Sequence, residues 1–482
     1  MSDLQALNRK NAESPVVYPE RIVQFGAGNF LRAFVDWTIQ ELNDKTDFNN
    51  SVVVVKVTPG TYDALDAQDG LFHVHLEGIE NGEFISQTQL ISCVSRTFYP
   101  YGDFDAYQAL ARQDEIRFLI SNTTEAGISY NEDDSADEKP PASFPAKLTL
   151  FLYERYQHFE GASDKGCIVI PTELVVDNGT QLREMVLRYA EQWQLDSGFA
   201  EWIEAHNLFC NTLVDRIVPG YPESDSAKIQ EKIGFEDQQL VMGEPYYSWI
   251  IEAPDSLTTE LPVAGVLDGV KIVDDVDPYR LTKVRILNGI HSSMVSLGYM
   301  CGLRVVNEVM AHKALTQFLL DEAYKEIIPA MDLPEDELKA FAQSTFDRFR
   351  NPSIHHKLLS IALNSMTKVR TRILPTILAH YEKLGSLPPR AVLAMAAFLR
   401  FYKGEWQGEL VPLKDDESTI AWLDEQWKNC DSVDALVESI LQNESLWERD
   451  LTQIDGLQEM ISDYITRMDE SGLLPIIEEL NG

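Results

Sequence analysis

Apolar positions along this chain follow two different rhythms. Up to about residue 280, short β-branched runs alternate with helical patterns. Residues 21–25 (RIVQF), 51–57 (SVVVVKV), 116–120 and 167–170 read as strands. Residues 29–43 and 145–158 between them carry the 3.6-residue period of helices. Strands alternating with helices predict a parallel sheet covered on both faces. Residues 131–141 (NEDDSADEKPP) are polar and end in proline, which predicts a loop. Beyond about residue 281 the strand-like runs stop and helical periodicity takes over, over 281–300, 311–331, 388–402 and 431–447. The expected architecture is α/β, with a nucleotide-binding type domain over residues 1–272 and a mostly α-helical domain over 273–482.

Composition narrows the function classes. The chain has 482 residues, room for two or three domains and a large core. No apolar run reaches the ~18 residues of a membrane helix, and the polar stretch 1–20 lacks the apolar core of a secretory signal, so a cytoplasmic location is expected. Five cysteines, far apart in sequence, fit neither a disulfide framework nor a thiolate zinc site. His73/His75 and His355/His356 form no HExxH pattern, so no metal is expected. The net charge of −37 repels phosphate backbones and argues against a nucleic-acid partner. It also repels small anions, so an anionic substrate needs local cations to hold it.

Two segments carry candidate chemistry. The first strand runs into Gly26-Ala27-Gly28-Asn29-Phe30-Leu31 and then a helix. Such a turn lets a backbone approach a pyrophosphate at a helix N-terminus, although Leu31 stands where the usual third glycine would be. Arg32, one turn in, is either a phosphate contact or a surface arginine. The second strand ends in Lys56 rather than a ribose-binding carboxylate, which leaves either a 2′-phosphate contact or an exposed lysine. The second segment is residues 281–291 (LTKVRILNGIH). Treated as an α-helix with Lys283 at zero, it puts His291 near ~80°, Asn288 near ~140° and Arg285 outside that arc, near ~200°. A lysine, an amide and an imidazole on one face of an apolar helix need partners or a ligand. Either they form a polar seam or they do chemistry. Reduction of a ketone builds negative charge on its oxygen; a lysine can supply the proton, an amide can stabilise the oxyanion and an imidazole can orient a hydroxyl. No metal is required for this.

These residues resemble the long-chain mannitol dehydrogenase family. The K-x-x-x-x-N-x-x-H pattern is matched by Lys283, Asn288 and His291, and the GxGxFxRA turn by Gly26, Gly28, Phe30, Arg32 and Ala33. Further matches are Gln68 to Leu71, Thr123 to Gly127, Asn178-Gly179, the N-x-x-VDRI stretch from Asn211 through Asp215, Glu244 to Glu252, and the RF-x-NP motif starting at Arg348. They run in order over roughly residues 20–370. The resemblance implies a Rossmann-type first domain, NAD as cofactor, and reversible hydride transfer between a sugar alcohol and its ketone. It implies Lys283 as acid/base, Asn288 and Asn178 as oxyanion donors and His291 as a positioning group. It puts Gly26, Gly28, Asn29, Phe30, Arg32 and Asp215 at the cofactor. Departures point to the sugar-acid branch. Thr172-Glu173-Leu174 stands where polyol-type members have Cys-Asp-Asn, and Ser360 stands eight residues before Lys368 where they have arginine. Lys368, Arg370, Arg348 and His355, with His356 and Lys357 nearby, are the candidate substrate cations. Other hexuronate reductases, polyol 2-dehydrogenases and a non-catalytic dinucleotide and sugar-acid sensor stay open. No hydrolase motif is present, no membrane partner is expected, and the assembly expected is a monomer or a weak homo-oligomer.

Overall fold

The computed structural model describes residues 4–13, 17–353 and 355–482; residues 1–3 and 14–16 of the polar N-terminal stretch, and residue 354, lie outside it. The chain divides into two units, residues 1–77 with 84–277 and residues 78–83 with 278–482. The boundary expected at 272/273 would cut the strand Val270–Val273. That strand pairs in parallel with Ser248–Glu252, so its ladder carries the first unit further along the chain.

The first unit is organised by six parallel strands: β1 (Glu20–Phe25), β2 (Ser51–Val55), β3 (Val94–Phe98), β4 (Phe118–Ser121), β5 (Ile168–Pro171) and β6 (Leu208–Phe209). Their order across the sheet is β3-β2-β1-β4-β5-β6. This is the doubly wound dinucleotide-binding order, with its switch point between β1 and β4. Every residue of β2 is buried, which is why SVVVV reads as an unbroken apolar run rather than an alternating one. Val23 of β1 sits in register with Val53 on one side and Leu119 on the other.

Sequence periodicity did not anticipate β3, the strands Phe72–Glu80 and Glu83–Ile91, or the three-stranded sheet of Asn211–Asp215, Ser248–Glu252 and Val270–Val273. The signal for the first pair was present. Asn81-Gly82 lies between them with φ of 53° and 81°, the two left-handed residues that a tight hairpin turn demands.

The second unit is helical and built around Pro389–Phe401. Twelve of that helix's thirteen residues are buried, so it is apolar all round rather than amphipathic. Gly289–Met300 and Leu457–Ser471 pack against it. Its two arginines are neutralised by carboxylates: Arg390 by Asp321 (3.1 Å) and Glu326 (3.2 Å), and Arg400 by Asp469 (2.6 Å).

Three helical stretches of this unit loosen into π-helix, at Lys283–Asn288, Glu322–Ile327 and Val369–Ile373. The first packs against both of the others. Glu322, at the start of the second, is buried and accepts a 2.7 Å hydrogen bond from the Ser293 hydroxyl. Burial pushes its carboxyl up to about 8; the Ser293 hydroxyl and Arg390 oppose the shift and Glu326 adds to it. The folded protein therefore holds a proton that the unfolded chain releases near pH 4.5, and this contribution fades as pH rises towards 8. The slope is at most about 1.4 kcal/mol per pH unit. Glu322→Gln has no such proton to lose. Its Tm relative to the parent is expected to climb steadily between pH 5 and pH 8 in scanning calorimetry; a constant difference would show that Glu322 is already ionised in the fold.

Candidate active site

The loop after β1 is shaped by glycine. Gly26 has φ of +113°, and a Cβ there would meet the Leu31 Cδ1 at 3.1 Å and the Asn122 carbonyl at 3.5 Å. Gly28 precedes the continuous helical run Asn29–Leu31, Arg32–Asp36 and Trp37–Lys45, and a Cβ on it would meet nothing within 4 Å. An open backbone at a helix N-terminus, at the C-terminal end of the strand next to the switch point, is a cradle that fits a pyrophosphate. The residues present therefore fit a dinucleotide.

Arg32 does not present itself to that cradle as a free cation. It is buried, and its guanidinium donates to Asn29 Oδ1 (2.7 Å), the Ala27 carbonyl (3.3 Å) and the Gln239 carbonyl. Arg32 and Asn29 thus brace the turn from beneath. Phe30 stacks on Phe34 at 4.8 Å, a packing role. Asp215 closes the ladder of Asn211–Asp215 opposite Ser248. Its neighbour Arg216 donates to the Ala33 carbonyl at 2.7 Å and lies over Trp37, tying that sheet to the helix after the glycine turn. Lys56 lies over the Tyr62 ring at 4.3 Å, so its ammonium has an aromatic partner.

Asn178 is fully buried at the start of Asn178–Gln192. Its amide nitrogen faces the Pro171 carbonyl (3.1 Å), the Glu173 carbonyl (3.0 Å) and Thr212 Oγ1 (3.1 Å). Its oxygen accepts from the Gly179 and Thr212 amides. Two N–H bonds already shared among three acceptors leave none for an oxyanion. In this conformation Asn178 is a bracket that fixes the end of β5. Glu173, which periodicity did not single out, does the same between strands: its carboxylate accepts from the Thr123 amide (2.9 Å) and the Ser121 hydroxyl (3.1 Å).

In the second unit the expected α-helical wheel is corrected by the π segment. Lys283–Asn288 is π-helical and Gly289–Met300 is α-helical. Where the turn closes i to i+5, Asn288 lies one turn above Lys283 rather than well round the cylinder. His291 then lies three residues further, one α-turn on. The spacing of four and then two intervening residues is thereby converted into a single ladder. Gly289 sits at the join, where a Cβ would meet the Arg372 and Val284 carbonyls at 3.6 Å.

His291 stacks on Phe349 (centroids 4.9 Å, 28°) and meets the His356 ring edge-on at 4.8 Å. Its Nε2 is buried with no hydrogen-bond partner among the described residues. Burial first, then His356, Arg372, Arg348 and Lys368, push its pKa down to about 3, so the ring is neutral at working pH. A neutral imidazole with an orphaned nitrogen can position a hydroxyl but has no imidazolium proton to give.

The cations that act on His291 are not quite those expected. Arg348 and Lys368 belong to the set. Arg370 is turned elsewhere, pairing with Glu448 at 3.2 Å, while Arg372, two residues on, joins instead. Likewise His356 and not the exposed His355 packs on His291. Each case is a one- or two-residue difference in helical or loop phase. The charge pattern locates the segment, and Arg370 and Arg372 both lie in its π turn at Val369–Ile373. Among the described residues no group of three or more His, Cys, Asp or Glu is placed to hold a metal. His73 is tied to Asp237 at 2.9 Å and His75 to Thr88 at 2.8 Å.

Comparison with known proteins agrees with this layout. Residues 20–265 match the mannitol dehydrogenase Rossmann domain and residues 275–469 the mannitol dehydrogenase C-terminal domain. The chain belongs to the mannitol dehydrogenase family. It is 46% identical over 483 residues to the altronate oxidoreductase of Klebsiella pneumoniae (strain 342), covering 99% of this chain and all of that protein. It is 45% identical, with the same coverage, to the altronate oxidoreductase of Escherichia coli O7:K1. Among solved structures, a substrate-free D-sorbitol dehydrogenase superposes with TM-score 0.79 at 21% identity, covering 98% of this chain and 100% of that one. Pseudomonas fluorescens mannitol 2-dehydrogenase, in a ternary complex with NAD and D-mannitol, superposes with TM-score 0.62 at 21% identity, covering 99% of each. The fold is shared with both.

Proposed function

We propose that this protein is an NAD-dependent oxidoreductase acting on a CH–OH group, and that its reaction is the reversible reduction of D-tagaturonate to D-altronate, a step in hexuronate breakdown. What supports the mechanism is that Lys283 and Asn288 bound the π segment leading directly into the helix that carries the neutral His291, whose Nε2 has no partner among the described residues. Full-length identity of 46% to altronate oxidoreductases supports the choice of substrate.

The backbone of the Gly26–Gly28 turn and the helix N-terminus after it would hold the cofactor's pyrophosphate. When bound, the nicotinamide would supply the hydride needed at the carbonyl carbon. The Lys283 ammonium delivers the proton that the carbonyl oxygen takes up, so the ketone gains both parts of a hydrogen molecule. The Asn288 amide N–H donates to that oxygen as charge builds on it. His291, neutral and stacked on Phe349, orients a substrate hydroxyl without changing its own charge. In the oxidative direction the neutral Lys283 amine takes the hydroxyl proton. The cations around His291 suit an anionic sugar, which a chain of net charge −37 would otherwise repel. The enzyme works in the cytoplasm as a monomer or weak homo-oligomer; among the described residues no helix is long and apolar enough to cross a membrane.

Steady-state rates with D-altronate, D-mannonate, D-mannitol and D-arabinitol, each with NAD⁺ and with NADP⁺, test this reading. The expected outcome is a kcat/KM at least tenfold higher for altronate with NAD⁺ than for any other pair. A preference for a hexitol would overturn the substrate assignment.

A further inference from the structure

We propose that the Arg372 guanidinium binds the carboxylate of the sugar acid, completed by the Lys368 ammonium, and that this contact makes the site select hexonates over hexitols. The proposal rests on the hexonate reading above and names the residue that recognises the charged end.

Arg372 is half-buried in the π segment Val369–Ile373. Its guanidinium makes one hydrogen bond among the described residues, a long 3.4 Å contact to the buried Ser292 hydroxyl, and no carboxylate there is paired with it. Arg32 and Arg155, also without a carboxylate partner among the described residues, are instead satisfied by several backbone carbonyls, in a chain where acidic residues outnumber lysine and arginine by 77 to 40. Arg370, two residues away, has Glu448; Arg390 has Asp321 and Glu326; Arg400 has Asp469; Arg117 has Glu260. Burial lowers the Arg372 pKa, and no acidic group offsets that cost.

Removing a guanidinium from water without an anion is unfavourable, and an arriving carboxylate relieves the penalty. The planar fork also matches a carboxylate in bidentate fashion, which a hydroxymethyl end cannot reproduce. Arg372 is placed for this because its guanidinium reaches the hydroxyl of Ser292, the residue after His291, and its carbonyl lies 3.6 Å from where a Cβ on Gly289 would sit, so the charged end and the hydroxyl-orienting ring share one neighbourhood. Lys368 donates to the Ile361 carbonyl at 2.6 Å. Asp415, the acid that acts on Lys368, already accepts from the Tyr402 hydroxyl and from the Met366 amide at 3.0 Å. Arg285 also lacks an acidic partner among the described residues but rests on Thr376 at 3.3 Å, and it serves as the comparison.

Arg372→Leu, Arg372→Lys and Arg285→Leu are assayed in the full-length enzyme with D-altronate and with the uncharged D-altritol, alongside NADH binding and Tm. For Arg372→Leu the KM for altronate is expected to rise roughly 30- to 1000-fold, the usual span for losing a buried charge partner. The altritol kcat/KM should stay level or improve. Arg372→Lys keeps charge without the fork and should fall between, which also covers the case in which Arg372→Leu fails to fold. Arg285→Leu should leave the altronate-to-altritol ratio unchanged. An unchanged ratio in both Arg372 variants, with the parent still active on altronate, overturns this proposal alone. A parent enzyme inactive on every hexonate overturns it together with the function assigned above.

Discussion

Replacement of Lys283 by alanine is expected to lower kcat for tagaturonate reduction roughly a hundred- to ten-thousand-fold, the range for a lost general acid. The size of the effect follows from what remains. Of the three ladder residues, Asn288 does not ionise, and His291, held near 3, carries no imidazolium proton at neutral pH. The oxygen would then have to take its proton from water while the carbon takes the hydride. NADH binding should be unaffected, because the glycine cradle lies in the other unit of the chain. Small primary amines added to Lys283→Ala should restore part of the rate, with a pH dependence that follows the amine. Parent-like turnover in that variant would remove the mechanism.

The second large effect is on stability. Arg390→Ala is expected to destabilise the helical unit by about 3 kcal/mol, near the lower end of the range for breaking a buried ion pair. Arg390 is buried between Asp321 and Glu326, and its loss strands two carboxylates in the core. The lower end is chosen because neither is left wholly alone. Asp321 keeps Lys325 at 2.8 Å, and Glu326 keeps the backbone amides of residue 390 (3.0 Å) and Ala391 (2.9 Å). Urea unfolding followed by far-ultraviolet circular dichroism measures the loss. The deficit should shrink as pH falls and Glu326, whose pKa burial raises, takes up a proton; a deficit constant with pH would point to lost packing instead. Activity should fall with stability, since the π segment containing Glu326 packs on the one containing Lys283.

The two unit types were legible because they follow from periodicity and burial alone. An apolar run such as SVVVV can be satisfied only in a sheet covered on both faces, and the long 3.6-period stretches only by helices packed side on. Lys283, Asn288 and His291 stood out as candidates for the same reason, because polar groups in an apolar helix require an explanation. Their arrangement was not plain, because an α-helical wheel assumes i to i+4 closure and this segment closes i to i+5. Local propensity does not specify a π turn; it is held by packing against two other helices.

The same limit explains the side chains whose roles changed. A sequence shows that Arg32 and Asn178 are polar and near the right turns, but not that groups distant in the chain, the Gln239 carbonyl for Arg32 and the Thr212 hydroxyl for Asn178, already use their hydrogen bonds. It shows a basic stretch at 368–372, but not that Glu448 claims Arg370 while Arg372 reaches only the Ser292 hydroxyl beside His291. The chain by itself therefore determined the architecture and the family and pointed to the candidate reacting groups, since these depend on residue type and period. The tertiary structure alone decided which donors are spent on the fold and which are left for a substrate, since hydrogen-bond satisfaction depends on partners far apart in sequence.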